Sequence, residues 1–236
     1  MKKHLYDSIA ERWLRPGATV WIISDPHFND AESQGYRHSY PGDDELVKRI
    51  NSKVGKNDTL IILGDVGDIE FIKKLKGYKV LIMGNHDKGA SNYKRQKVLT
   101  PLPEEIKKEI WGSNYDKFKD TLKDGYVDNH LFDEVYEGPV MINDRVILSH
   151  EPVAVPEYMF NIHGHTHGLP HIYDERHLNV CAEAIDYTPI NMLKLIQEGL
   201  LKNTKSIHEL TVQEATKRKV KRNLKAVDKM IEETIK

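Results

Sequence analysis

The sequence predicts an α/β fold, and three observations carry that reading. Four apolar runs have the length and β-branched content of buried strands: Thr19 to Ser24, Thr59 to Leu63, Lys79 to Met83 and Arg145 to Ser149. Segments of helical periodicity separate the first three runs. Each of the four runs gives way at once to an acid, a histidine or a glycine, so chemically capable residues recur at strand ends.

In chain order, Leu5, Ile9 and Trp13 recur every four residues, as the buried stripe of a first helix would. Asp7 and Glu11 interrupt that segment, so it fails as a secretory signal. The first strand run ends in Asp25-Pro26-His27, and a polar loop carrying Arg37 and His38 follows. Leu46, Val47, Ile50 and Val54 then take helical spacing behind Asp43-Asp44, acids suited to a helix N-terminus. Ile69, Ile72 and Leu75 give a short helix that Gly77 can close. The order β-α-β-α-β predicts parallel pairing with right-handed crossovers. Parallel strands place their carboxyl ends on one sheet edge, so Asp25, Asp65 and Asn85-His86 are expected to converge there.

From Lys88 to His130 the chain turns polar and reads as an insertion near the site. Helices are expected at Pro103 to Trp111 and around Asp116 to Lys123, separated by Gly112-Ser113-Asn114. Phe132 to Asn143 reads as two antiparallel strands joined by a turn at Glu137-Gly138-Pro139. A weaker fifth run, Tyr158 to Ile162, leads into His163-Gly164-His165-Thr166-His167. The capping-box pattern Thr211-Val212-Gln213-Glu214 opens an amphipathic helix with Val220, Leu224, Val227 and Ile231 on one stripe. Its basic cluster Lys217-Arg218-Lys219, Lys221-Arg222 either meets nucleic acid or forms a solvated helix face, and the second is favoured. The organisation expected is one domain over residues 1–200, with the insertion at about 88–130, and a helical extension over 201–236.

With 39% hydrophobic and 30% charged residues and a net charge of −1, the 236-residue chain has the composition of a globular protein, not of one that coats nucleic acid. It has no run of about 18 apolar residues, so no membrane span is expected. The single cysteine, Cys181, excludes an intrachain disulfide and leans toward the cytoplasm.

The 12 histidines matter by position. Asp25-x-His27, Asp65, Asn85, His150 and His165-x-His167 all fall at strand ends, and carboxylate, imidazole and amide oxygen together suit borderline divalent ions. Mg²⁺ prefers oxygen alone, and the absence of cysteine from the set excludes a structural zinc finger. Residues two apart at a strand end share a side, so each D-x-H or H-x-H pair can grip one centre. Glycines 64, 84 and 164 provide for tight turns and positive φ. Asp87 reads as a turn-stabilising neighbour, and His163, His171 and His177 as ordinary surface or core histidines.

Taken in order, Asp25-Pro26-His27, Gly64-Asp65, Gly84-Asn85-His86-Asp87, His150 and Gly164-His165-Thr166-His167 resemble the D-x-H, G-D, G-N-H-D, H and G-H-x-H blocks of the calcineurin-like metallophosphoesterase superfamily. Their flanks, with Leu178-Asn179-Val180, are similar to a compact bacterial and phage branch, over roughly residues 19–190. The resemblance implies a two-sheet β-sandwich flanked by helices, in four αββα layers. It also implies two divalent metal ions, Mn²⁺ foremost and Fe²⁺, Zn²⁺ or Ni²⁺ as alternatives. Asp25, His27 and His167 would hold one ion, Asn85, His150 and His165 the other, and Asp65 both. A hydroxide bridging the ions would attack phosphorus, and His86 would act on the phosphoryl or leaving oxygen. By the same resemblance Asp68 would orient the catalytic histidine, yet it equally suits the N-cap of the helix that follows. Arg37 and His38 either clamp the substrate phosphate or form a solvated loop pair.

The protein-phosphatase branch carries Arg-Gly after its second Asp, whereas here Asp68 is followed by Ile69-Glu70, so that role is disfavoured. In the 88–130 insertion Lys107, Lys108, Lys117, Lys119 and Lys123 interleave with Glu104, Glu105, Glu109, Asp116 and Asp120, which leaves no continuous phosphate track. A phosphodiesterase acting on a small phosphodiester or nucleotide is therefore expected. A metal-dependent nuclease, a phosphomonoesterase and a non-catalytic scaffold are the alternatives. No membrane partner is expected, and the oligomeric state stays open.

Overall fold

Alternation decides how the strands of this chain pack. Val20, Ile22, Ile61, Leu63, Val80 and Ile82 take alternate positions on three neighbouring strands, and all are buried on one common core. The computed structural model describes residues 18–37, 39–100, 104–118, 125–142, 145–172, 174–202 and 204, with 214, 216–218 and 225 as further positions. The described strands are β1 (Val20–Ile23), β2 (Thr59–Ile62), β3 (Tyr78–Ile82), β4 (Lys97–Thr100), β5 (Gly125–Asp128), β6 (Glu134–Tyr136), β7 (Val140–Ile142), β8 (Val146–Leu148), β9 (Phe160–His163), β10 (His177–Asn179) and β11 (Ile190–Asn191).

Two sheets flanked by helices result, as expected. The first has the order β11-β1-β2-β3-β6 and the second β10-β9-β8-β7. β1, β2, β3 and β6 run parallel, and β11 closes the edge antiparallel. In the second sheet β8, β9 and β10 are parallel, with β7 antiparallel to β8. Val140, Ile142, Val146, Leu148, Phe160 and Ile162 face the first sheet across the shared core. Burial of each such side chain is worth about 1.5–3 kcal/mol.

The other face of the first sheet presents Ile23, Leu60, Ile62 and Leu81 to the helices. α1 (Ala31–Tyr36) and α2 (Asp43–Lys53) follow β1. Leu46, Val47 and Ile50 of α2 are buried there, at the helical spacing the sequence shows. Asp43 and Asp44 lie in the first turn of α2, behind an N-cap at Gly42. α3 (Ile69–Ile72) follows β2 with Asp68 as its N-cap. Gly77, at φ +85°, makes the turn into β3, where a Cβ would approach the Asp58 carbonyl oxygen to 2.8 Å. The main crossovers therefore form where the sequence places them.

Three local expectations are corrected. The segment after Asp-x-His is not all loop: Asp30 accepts the Ser33 N–H and caps α1. Glu137-Gly138-Pro139 is not a hairpin turn, because β6 pairs with β3 while β7 pairs with β8, so the chain crosses here from one sheet to the other. In the 88–130 segment, α4 (Ala90–Tyr93), α5 (Glu104–Trp111) and α6 (Tyr115–Phe118) are joined by an antiparallel ribbon of β4 and β5 that the polar sequence hides. Arg95 ties the base of the ribbon, donating to Asp128 and, at 2.9 Å, to Asp133. Past β11, α7 (Met192–Gln197) returns Met192 to the inter-sheet core.

The expected N-terminal helix with Leu5, Ile9 and Trp13 lies outside the described residues, as do His38 and the stripe Val220, Leu224, Val227 and Ile231. Glu214, Thr216, Lys217, Arg218 and Lys225 are helical. No described helix is long and apolar enough to cross a membrane.

Candidate metal centre

The two sheets meet at the edge where the strands end. Ser24 continues β1 and bridges Cys181, with Ser24 N–H donating to the Val180 carbonyl at 2.8 Å and Ala182 N–H to the Ser24 carbonyl at 2.9 Å. This seam brings Asp25 beside the Gly164-His165 turn, where His165 N–H donates to Asp25 Oδ2 at 2.9 Å. The backbone there is strained: Asp25, His27, Asp65 and His165 all have φ between +44° and +65°. Left-handed conformation costs a non-glycine residue about 1–2 kcal/mol. Four such residues in one cluster form the pattern of strain that gathers at functional sites.

The expectation for the glycines is refined here. Gly64 has φ +86°, as a tight turn requires. Gly84 and Gly164 do not, and serve by lacking a side chain: a Cβ would come within 2.2 Å of Asp65 Oδ1 at the first, and within 1.9 Å of Ser24 Oγ at the second.

Asp25, His27 and His167 form one group whose donor atoms all lie within 4.8 Å of one another. His167 Nε2 is 3.5 Å and His27 Nε2 3.9 Å from Asp25 Oδ1. Asp25 Oδ1 and His27 Nε2 are buried and have no hydrogen-bond partner. Buried polar atoms without partners are costly, and a cation between these two would satisfy both. Behind the imidazoles stand carboxylates: His27 Nδ1 meets Asp30 Oδ2 at 2.9 Å, and His167 Nδ1 meets Glu183 Oε1. Each contact leaves Nε2 turned inward.

Asp65, His150 and His165 form the second group within the same limit. Asn85 Oδ1 completes it, 2.8 Å from His150 Nε2 and 3.1 Å from His165 Nδ1. His150 Nδ1 faces the Leu63 carbonyl at 2.8 Å, which again directs Nε2 to the centre. Asp65 Oδ2 stands between the groups, 3.6 Å from His27 Nε2 and 3.4 Å from His150 Nε2. Asp25 and His27 are buried, whereas Asn85 and His165 are exposed and open the site to solvent.

The electrostatics agree with a cation site. Burial alone would lower the pKa of His150, but the Asp65 hydrogen bond and the charges of Asp25 and Asp65 hold it up at about 9. For His167, burial is likewise outweighed by the hydrogen bond to Glu183, and its pKa rises. For His27 burial prevails over Asp25 and Asp65, and its pKa falls. The carboxylates that raise His150 and His167 against burial give this part of the cleft the negative potential that a divalent ion would meet.

His86 is exposed beside the centre, its ring 5.5 Å from that of His27, and its backbone N–H donates to Asp65 Oδ1 at 2.9 Å. Asp87 is buried beneath it and accepts backbone N–H groups from Gly84, Asp65 and Val66. The cleft alongside has a volume of about 290 Å³ and is lined by Met83, Gly84, Asn85, Glu137, Gly138, Pro139, Ser149, His150, Glu151 and Val153. None of the described residues of 88–130 lines it.

Two expected site residues stand elsewhere in the chemistry. Arg37 is no phosphate clamp, because its side chain is fully buried and its guanidinium donates to the carbonyls of Asp25 and Pro26, both at 2.8 Å. Asp68 takes the N-cap alternative: Oδ1 accepts the Glu70 N–H at 2.9 Å and Oδ2 the Asn29 amide at 3.2 Å. Among the described residues no hydrogen bond joins Asp68 to His86. His163 is fully buried with Nδ1 on the Gly164 carbonyl, and His177 and His171 are held by Asp174 and the Asn179 carbonyl, as non-ligand histidines.

Sequence reasoning missed Asp30, Glu183 and the Cys181 thiol, which donates to Asp25 Oδ2 at 3.3 Å. The only local signal for Asp30 was its position ahead of a helix, and Glu183 resembles any surface glutamate.

Among solved structures, a protein of unknown function from Aquifex aeolicus, AQ665, gives a TM-score of 0.49 at 22% identity, over 76% of this chain and 98% of that one. No curated protein matches the chain. The family model for calcineurin-like phosphoesterases matches residues 18–174. That stretch contains every residue of both ligand groups, and the chain therefore belongs to the calcineurin-like phosphoesterase family.

Proposed function

We propose that this protein hydrolyses a small phosphodiester or nucleotide at a pair of divalent ions, Mn²⁺ foremost. The observation that carries the reading is the position of Asp65 Oδ2 where the two groups of three donors meet, 3.6 Å from His27 Nε2 of the first and 3.4 Å from His150 Nε2 of its own. Asp25, His27 and His167 would hold one ion, Asn85, His150 and His165 the other, and Asp65 would serve both. When bound, such ions supply Lewis-acid polarisation of the phosphoryl oxygens and a water of lowered pKa.

The chain's own residues then have separate tasks. Asp30 and the Leu63 carbonyl orient the imidazoles of His27 and His150 through Nδ1. His86, exposed beside the centre, donates to a phosphoryl oxygen or to the leaving oxygen. The cleft of about 290 Å³ receives the rest of the substrate. Glu137 and Glu151 on its rim oppose a run of further phosphates, which favours a small substrate over a nucleic-acid strand.

The test is hydrolysis of bis-p-nitrophenyl phosphate by the chelated protein after addition of Mn²⁺, Ni²⁺, Zn²⁺ or Fe²⁺ in turn. Turnover that returns with metal is expected. No turnover of this diester with any of them overturns the reading.

A further inference from the structure

We infer that Glu183, braced by Arg37, is a positioning residue that fixes His167 for the ion at the Asp25, His27 and His167 group. This rests on the two-ion reading above and extends it to residues that touch neither ion nor substrate.

Glu183 lies just past β10, in the short turn of 3-10 helix Ala182–Ile185. Its carboxylate is buried, with a side-chain exposure of 10%. One oxygen accepts from His167 Nδ1. The other faces Arg37 Nε at 3.6 Å. The same guanidinium donates through Nη1 to the Pro26 carbonyl and through Nη2 to the Asp25 carbonyl. It lies against the rings of Tyr40 and Tyr187, at 4.9 and 5.3 Å from their centroids.

One planar cation thus links two parts of the site that come from different sheets. On one side is the Asp25-Pro26-His27 turn at the end of β1, and on the other, through Glu183, is the imidazole of His167 beyond β9. The planar fork of arginine suits this three-way contact, whereas a lysine offers a single point of charge. A carboxylate behind an imidazole holds the tautomer whose Nε2 lone pair faces the metal, and raises its basicity. His150, in the other group, has only a backbone carbonyl behind it. Loss of Glu183 should therefore weaken one ion and spare the other.

Mn²⁺ titration of the chelated full-length protein, followed by calorimetry and by metal content after gel filtration, separates the outcomes. Glu183→Gln is expected to lower the affinity for one ion by about 10- to 100-fold, and to leave the other within about twofold. The visible spectrum of the Co²⁺-loaded variant should change at one site only. Circular dichroism of the chelated proteins checks folding. If Glu183→Gln unfolds, Glu183→Asp decides, since it keeps the charge near Arg37 but falls one methylene short of His167. Wild-type-like binding of both ions by the folded variant, or equal loss at both, overturns the inference while the two-ion reading stands. A wild-type protein that binds no metal overturns both.

Discussion

The carboxylate of Asp87 accepts the backbone N–H of Asp65 at 3.0 Å, tying the turn after β3 to the turn after β2. The same oxygen accepts from Gly84 N–H at 2.8 Å, and the other from Val66 N–H at 3.1 Å. Two turns that carry Asp65, Asn85 and His86 are thus held by one side chain that acts on their backbone N–H groups.

Asp87→Asn removes a charge that burial disfavours, since burial pushes this carboxyl's pKa up against its N–H partners. It also turns an amide NH₂ toward at least one of three N–H donors, and that effect is the larger. A loss of about 2–3 kcal/mol is expected, in the range for hydrogen bonds to charged groups. Chemical denaturation of the chelated protein measures it, and a variant within about 0.5 kcal/mol of wild type would refute the role.

Gly164→Ala places a Cβ at 1.9 Å from Ser24 Oγ and 2.2 Å from Asp25 Oδ2. Ser24 Oγ is engaged with the Leu63 carbonyl at 2.5 Å, so it does not swing aside freely. The seam between the sheets must open, at about 1–3 kcal/mol. Metal content should fall with stability, because Asp25 moves with Ser24. A variant that melts like wild type and keeps full metal content would show that the close approach is dispensable.

His86→Ala separates catalysis from metal binding. The imidazole belongs to neither ligand group, so metal content should stay at the wild-type level. Turnover should drop by about 10²- to 10⁴-fold, the usual loss for a positioned acid or base. Stripping the wild type with chelator should abolish turnover altogether, and readdition of Mn²⁺ should restore it. Unchanged turnover in His86→Ala would remove it from the chemistry.

The strand ends and their order were legible because buried parallel strands leave continuous apolar runs, and Ile22, Ile61 and Val80 stand where such runs predict. The crossing at Glu137-Gly138-Pro139 was not, since a hairpin and a change of sheet share the same local turn chemistry. Arg37 was misread for a related reason: an arginine in a polar segment looks like an anion clamp until its burial is known. Glu183 and Asp30 act only through the tertiary position of an imidazole, which no spacing rule encodes.

Lys79 gives a test of stability that is independent of the metal centre. Its ammonium leaves β3 for the carbonyls of Ile72, at 2.9 Å, and of His130, and it is nearly fully buried. Burial lowers its pKa from 10.5 to about 8, although Asp133 works in the other direction. Below pH 8 both the folded and unfolded states hold the proton, and this group adds no slope. Between about 8 and 10.5 the unfolded state binds more protons than the folded state, so stability rises with pH. Tyr40, Tyr93 and Tyr187 have pKa values raised by burial and act in the opposite sense above pH 10, so the measure is the difference from Lys79→Met. That difference should move in favour of the wild type by at most about 1.4 kcal/mol per pH unit within the window, and level off on either side of it. A difference that stays flat from pH 7 to 10.5 in urea titrations would show that the carbonyls hold Lys79 charged throughout.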